Sequence, residues 1–287
     1  MKPIALPLAI LLLASTTNAN DAKPVWQGPN KPVYVVTQNH YAEGFTPDGE
    51  TARFSDLVAI EIYNPTPRKA NQEVDYKVGE QIGLFLGGQQ QGKVKIEKVL
   101  PFQCDSNAAV LSADAKLKWD EGMMGLATNA SGIAGHANAR REASAAEKEA
   151  ATQLAMAEFR KHGVPETLAA KIQFFQAIVT KFDANGPKSL IAYVFIKTTA
   201  AVYEVFLIAK LEGSAPTAEF SRYHLMKDVE DGMDSEDYRF VDQLDLDGDG
   251  VDEIVIEVHY YESEEFRILK RVNGSWTRVH VGGQGGC

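Results

Sequence analysis

Nine consecutive residues carry the clearest chemistry in this sequence: Asp245-Leu246-Asp247-Gly248-Asp249-Gly250-Val251-Asp252-Glu253. Carboxylates stand at positions 1, 3, 5 and 9 of the segment, with glycine between them. A chain winding round an ion turns alternate residues inward, so this spacing aims several oxygens at one point. Hard Ca²⁺ takes six to eight oxygen ligands from carboxylates, carbonyls and water. Gly250 permits the sharp turn, the Val251 carbonyl fills the seventh position and Glu253 closes the site. Without an ion the carboxylates crowd and repel one another. An EF-hand is excluded, because its twelfth position needs a bidentate acid and a following helix, and here Ile256 sits there within the strand-like Ile254-Val255-Ile256.

This loop resembles the FG-GAP/VCBS type, of pattern D-x-[DN]-G-D-G-x-x-[DE] leading into an apolar strand. The resemblance implies Asp245, Asp247 and Asp249 as side-chain ligands, Val251 as a carbonyl ligand and Glu253 as the last carboxylate. The family more often has Asp at that last place. A degenerate second copy precedes the loop. Ala177 to Val194 and Arg239 to Val258 both read strand, Asp-x-Asn/Asp-Gly, strand, and each continues into a further strand, Tyr203–Ile208 and Phe266–Lys270. The copy at Asp183-Ala184-Asn185-Gly186 lacks the third carboxylate and the following glycine, so no metal is expected there. The implied calcium is structural, a clamp on the C-terminal sheet.

Other catalytic patterns are missing from the sequence. The six histidines form neither HExxH nor a spaced zinc set, and no G-x-S-x-G, P-loop or dinucleotide fingerprint occurs. The 39 acids leave room for a catalytic pair distant in sequence. The acid-rich run from Asp228 to Asp237 reads as a solvated loop and His259 to Glu265 as an exposed hairpin tip.

The elements that must position the loop follow from punctuation and period. Met1–Ala19 reads as a secretory signal peptide, with Lys2 before an apolar run from Ile4 to Ala14, and 20–31 as a leader. Residues 32–125 form a small β domain, sandwich or barrel, with strands at Val33–Thr37, Val58–Tyr63, Ile82–Leu86 and Val94–Val99. Residues 126–143 read as a linker. Residues 144–170 are helical: Ser144-Ala145-Ala146-Glu147 has capping-box spacing, Gly163 stops the helix and Pro165 opens a second short one. Residues 171–287 form a C-terminal antiparallel β unit with the two degenerate repeats and the loop. The run Leu190 to Lys210 mimics a membrane span, but Lys197 and Glu204 each cost a few kcal/mol in a bilayer core. Two adjacent strands and no stable membrane insertion are expected. The fold class is therefore α+β, mostly β.

Cys104 and Cys287 are the only cysteines. In an exported chain an even pair favours one disulfide between them. The composition is globular, and a net charge of −10 argues against nucleic acid as a partner. These readings converge on a secreted or periplasmic calcium-binding interaction module, non-enzymatic, whose ligand is a protein or a glycan. The alternative is a secreted hydrolase acting on an extracellular polymer, which requires a pocket gathering paired acids.

Overall fold

The computed structural model describes residues 26–38, 56–66, 74–100, 108–113, 117, 119, 122–133, 140–213, 215–227 and 232–286. The expected signal peptide and both cysteines lie outside these residues. The fold is mostly β and antiparallel, with one α-helix among the described residues.

Six strands close a barrel in the order β1-β2-β5-β4-β3-β6: β1 Val33–Gln38, β2 Leu57–Tyr63, β3 Gln81–Leu86, β4 Gln89–Leu100, β5 Ala108–Ala113 and β6 Met124–Thr128. Strand β1 shows why its sequence, VYVVTQ, does not alternate with polar residues. Tyr34 and Val36 point into the barrel with Leu84, Ile96 and Leu111. Val33 and Val35 point outward, yet they too are buried, against Val255, Phe266 and Ile268 of the C-terminal part. A strand covered on both faces reads as a continuous apolar run. β6 carries the barrel through Thr128, so its last strand extends three residues past the expected end of the small β domain.

A two-residue strand, β7 (Arg141–Glu142), leads into helix α1 (Ala145–Lys161). Ser144 Oγ accepts from the Glu147 N–H, and Glu147 Oε2 accepts from the Ser144 N–H at 2.8 Å, which satisfies two otherwise orphaned donors of the first turn. The helix ends before Gly163, and a 3-10 turn at Glu166–Lys171 follows Pro165. Ala151, Ala155, Met156 and Phe159 form its buried face.

The C-terminal part consists of two sheets of antiparallel neighbours. β8 (Ile172–Thr180), β9 (Lys188–Lys197), β10 (Val202–Leu211) and β11 (Thr217–Met226) run side by side, with β7 on the β8 edge. β12 (Asp237–Leu244), β13 (Glu253–His259), β14 (Ser263–Val272) and β15 (Ser275–Gly286) make the second sheet in chain order. Strands β9 and β10 account for the segment that mimics a membrane span. Leu190, Val194, Val205 and Leu207 pack under α1, whereas Ile191, Tyr193, Phe206 and Ile208 pack against Tyr238, Phe240, Ile254 and Ile256 of the second sheet. Both faces are covered by protein, so hydrophobicity is continuous along the strands. No helix among the described residues is long and apolar enough to cross a membrane.

The layers therefore stack as helix, first sheet, second sheet and barrel wall. The β14–β15 hairpin turns at Asn273 and Gly274, with φ of 51° and 81°, the left-handed pair that a two-residue primed turn demands. This turn fixes the register that brings Lys270 of β14 opposite Thr277.

Candidate functional site

The acidic loop joins β12 to β13 at one end of the second sheet. Asp245 builds it from inside: Oδ1 accepts from the N–H groups of Gly248 and Asp249 at 2.8 and 3.1 Å, and Oδ2 accepts from Gly250 at 3.0 Å. Gly248 and Gly250 have φ of 78° and 89°, which residues with a side chain adopt only at a cost. Asp249 Oδ1 accepts from the Val251 N–H at 2.9 Å, and Glu253 Oε2 accepts from the Leu246 N–H at 2.8 Å. Asp252 points away from the loop: its Oδ2 accepts from Gln243 Nε2 at 2.6 Å.

The remaining oxygens converge. One carboxylate oxygen each from Asp245, Asp247 and Glu253 lie within 4.8 Å of one another. Asp247 Oδ1 is buried and accepts no hydrogen bond. An all-oxygen donor set with an unfilled buried lone pair fits a hard divalent cation. Burial, together with the Asp247 charge, pushes the Glu253 carboxyl up to about 8.

Lys270, which the loop spacing does not include, also belongs to this site. Its Nζ lies 2.6 Å from Asp247 Oδ2, 2.6 Å from Asp249 Oδ2 and 3.0 Å from Glu253 Oε1. Burial alone pulls an ammonium's pKa down, but these three bonds outweigh it and hold Lys270 above the usual lysine range. The loop thus brings oxygens of Asp245, Asp247 and Glu253 close together, Asp249 joins Asp247 and Glu253 through Lys270, and that cation is delivered by tertiary pairing. Val251 is half-buried beside them and packs on the core between the two sheets. The site forms one wall of an open cleft of about 570 Å³, whose other lining includes Trp26, Asn30 and Ser131. In the degenerate copy, Asp183 Oδ1 accepts from the Asn185 N–H at 2.8 Å.

A second polar centre lies where the two C-terminal sheets part. Tyr193 Oη is 2.7 Å from Glu204 Oε1 and 2.8 Å from Asp237 Oδ1. The hydroxyl has one proton, so completing both bonds requires that one of the carboxyls be protonated. Glu204 Oε2 lies 2.8 Å from His224 Nδ1. Burial raises the Glu204 carboxyl above the usual range, against the opposing bonds from His224 and Tyr193. The bond to Glu204 raises the His224 imidazole. Tyr193, Glu204 and Asp237 line a cavity of about 340 Å³ walled also by Phe175, Phe195, Val202 and Met226. Asp237 ends the acid-rich run that reads as a solvated loop, but its carboxylate and that of Glu236 have specific partners, Tyr193 for the first and Arg222 and Tyr238 for the second. Residues 228–231 of that run lie outside the described residues. One sequence signal for this centre exists: Glu204 stands alone in the apolar run of β10, and such an acid must find partners in the interior.

Comparisons with protein-family models, curated proteins and solved structures give no match for this chain.

Proposed function

We propose that the chain is a secreted or periplasmic interaction module, non-enzymatic, whose C-terminal sheet is held by a structural Ca²⁺ at Asp245, Asp247, Asp249, Glu253 and the Val251 carbonyl. The supporting observation is that carboxylate oxygens of Asp245, Asp247 and Glu253 lie within 4.8 Å of one another, with Asp247 Oδ1 buried and unfilled. On this reading the two four-strand runs, β8–β11 and β12–β15, are degenerate FG-GAP-like repeats, of which only the second keeps its ligands. An exported chain also places Cys104 and Cys287 in an oxidising compartment, where a disulfide forms. The bound ion supplies positive charge that relieves repulsion among the acids. The chain's own residues shape the loop: Asp245 holds three backbone N–H groups, and the Leu246 N–H orients Glu253. The partner is a protein or a glycan.

Thermal unfolding with Ca²⁺ or EDTA tests the reading. An ion at 100 times its dissociation constant adds about 2.7 kcal/mol to a folded state that alone binds it. The wild type is expected to melt about 5–10 °C lower in EDTA, Asp247→Ala to show almost no chelator response, and Asp183→Ala to respond like the wild type. Equal responses in the wild type and Asp247→Ala would falsify the site.

The second reading, a hydrolase acting on an extracellular polymer, is favoured by one observation: the Glu204–Tyr193–Asp237 group in a cavity. Two carboxyls joined through one hydroxyl resemble a proton-sharing dyad, which activates water with one acid protonated and the other ionised. If this reading holds, hydrolysis of protein or polysaccharide substrates falls at least 100-fold in Glu204→Gln with folding retained. No turnover by the wild type across such a panel between pH 4 and 8 removes it.

A further inference from the structure

We propose that the acidic loop is an ion-exchange site, in which the Lys270 ammonium is a built-in competitor that Ca²⁺ must expel. The inference rests on the calcium reading of the loop and adds how that binding is regulated. Three observations carry it. First, three carboxylate oxygens of the proposed ligand residues are already held by Lys270: Asp247 Oδ2, Asp249 Oδ2 and Glu253 Oε1, at 2.6, 2.6 and 3.0 Å. A monovalent ammonium and a divalent ion cannot share that point, because both need the same lone pairs and repel one another at contact distance. Second, Lys270 is anchored outside the loop, on β14, so its departure leaves the loop backbone untouched. Asp245 goes on holding Gly248, Asp249 and Gly250, and Glu253 goes on holding Leu246. Third, the displaced side chain has somewhere to go. Lys270 lines the open cleft of about 570 Å³ together with Asp247, Asp249 and Val272, and a four-carbon stem lets the ammonium reach water while its methylenes stay against the wall.

Two consequences follow. The metal-free loop keeps its backbone shape, since the single Lys270 charge offsets part of the repulsion among its acids. Calcium binds more weakly than the carboxylate count alone implies, because every binding event breaks three charge-assisted bonds. The affinity of the structural ion is therefore set jointly by the carboxylates and by the ammonium they release.

Two measurements on the full chain test this. In the wild type, reductive methylation of Lys270, read by peptide mass spectrometry, is expected to be slow in EDTA and at least fivefold faster in saturating Ca²⁺, with the exposed Lys171 as an internal reference that does not change. By calorimetric titration with Ca²⁺, Lys270→Met is expected to bind at least tenfold tighter than the wild type, and Lys270→Arg, which keeps the cation, no tighter. Calcium binding by the wild type with unchanged Lys270 reactivity overturns the exchange and leaves the calcium site standing, as does equal affinity in wild type and Lys270→Met. If neither protein binds Ca²⁺, the calcium reading itself fails and the exchange falls with it.

Discussion

Asp242→Ala is expected to lower the free energy of unfolding by about 3–5 kcal/mol, the range for removing one member of a buried ion pair. Asp242 is fully buried in β12, beside the bulge between Phe240 and Asp242. Its two oxygens each lie 3.0 Å from the Gly87 N of the β3–β4 turn, Oδ1 accepts from Gln243 N at 2.9 Å, and Arg140 Nη1 donates to Oδ1 at 3.2 Å. One carboxylate thus ties the barrel to the second sheet, and alanine strands two backbone donors and a guanidinium there. The melting temperature should fall by roughly 10 °C. A loss under about 1 kcal/mol by urea unfolding would show that the barrel and the sheet do not depend on this tie.

The same residue makes a pH signature. Burial pushes the Asp242 carboxyl from 3.8 up to about 6, against the pull of Arg140 and of the Gln243 and Gly87 N–H groups. Between those two values the folded state holds more of this proton than the unfolded chain does. The group's contribution to stability is therefore fully present below about pH 4 and is lost as pH rises through 6, a swing of about 2–3 kcal/mol. The stability difference between wild type and Asp242→Asn, measured at pH 4.5 and at pH 7, should shift toward the wild type at the lower value. A difference that is constant with pH removes this assignment.

Phe159→Ala is the other large effect, expected to cost about 3–5 kcal/mol. Phe159 is fully buried on α1 and packs on the first sheet with Leu190, Val194, Val205 and Leu207, edge-to-face with Tyr223 at 6.3 Å. On the helix's buried face Ala151 and Ala155 are too small to move into the vacated space, and only Met156 is long enough to fill part of it. Stability should drop while the response to EDTA stays that of the wild type, because α1 covers the face of the first sheet that is turned away from the second sheet and its loop. A loss below about 1.5 kcal/mol would mean that the helix does not seal that face.

Several features were legible in the residues because local physics decides them. The Asp245–Glu253 loop closes on itself through hydrogen bonds spanning at most seven residues. The Ser144–Glu147 cap, the Asn273–Gly274 turn and the strand character of Leu190–Lys210 likewise depend on neighbours in sequence. What the residues left open depends on distant pairing. Val33 and Val35 show that β1 is apolar, but only the layered packing reveals that one face fills a barrel and the other meets the second sheet. The alignment of Asp183 with Asp245 marks two strand–loop–strand runs without stating that their sheets pack face to face. Lys270 reaches the loop from 17 residues beyond Glu253 through the β13–β14 register, Glu204 meets Asp237 across 33 residues, and Asp242 meets Gly87 across 155. A charged side chain in an apolar strand announces that it needs a partner. Which partner it takes is set by strand order and register, and these are decided by the burial of whole faces, so the cation inside the acidic loop and the acid pair between the sheets became visible only in three dimensions.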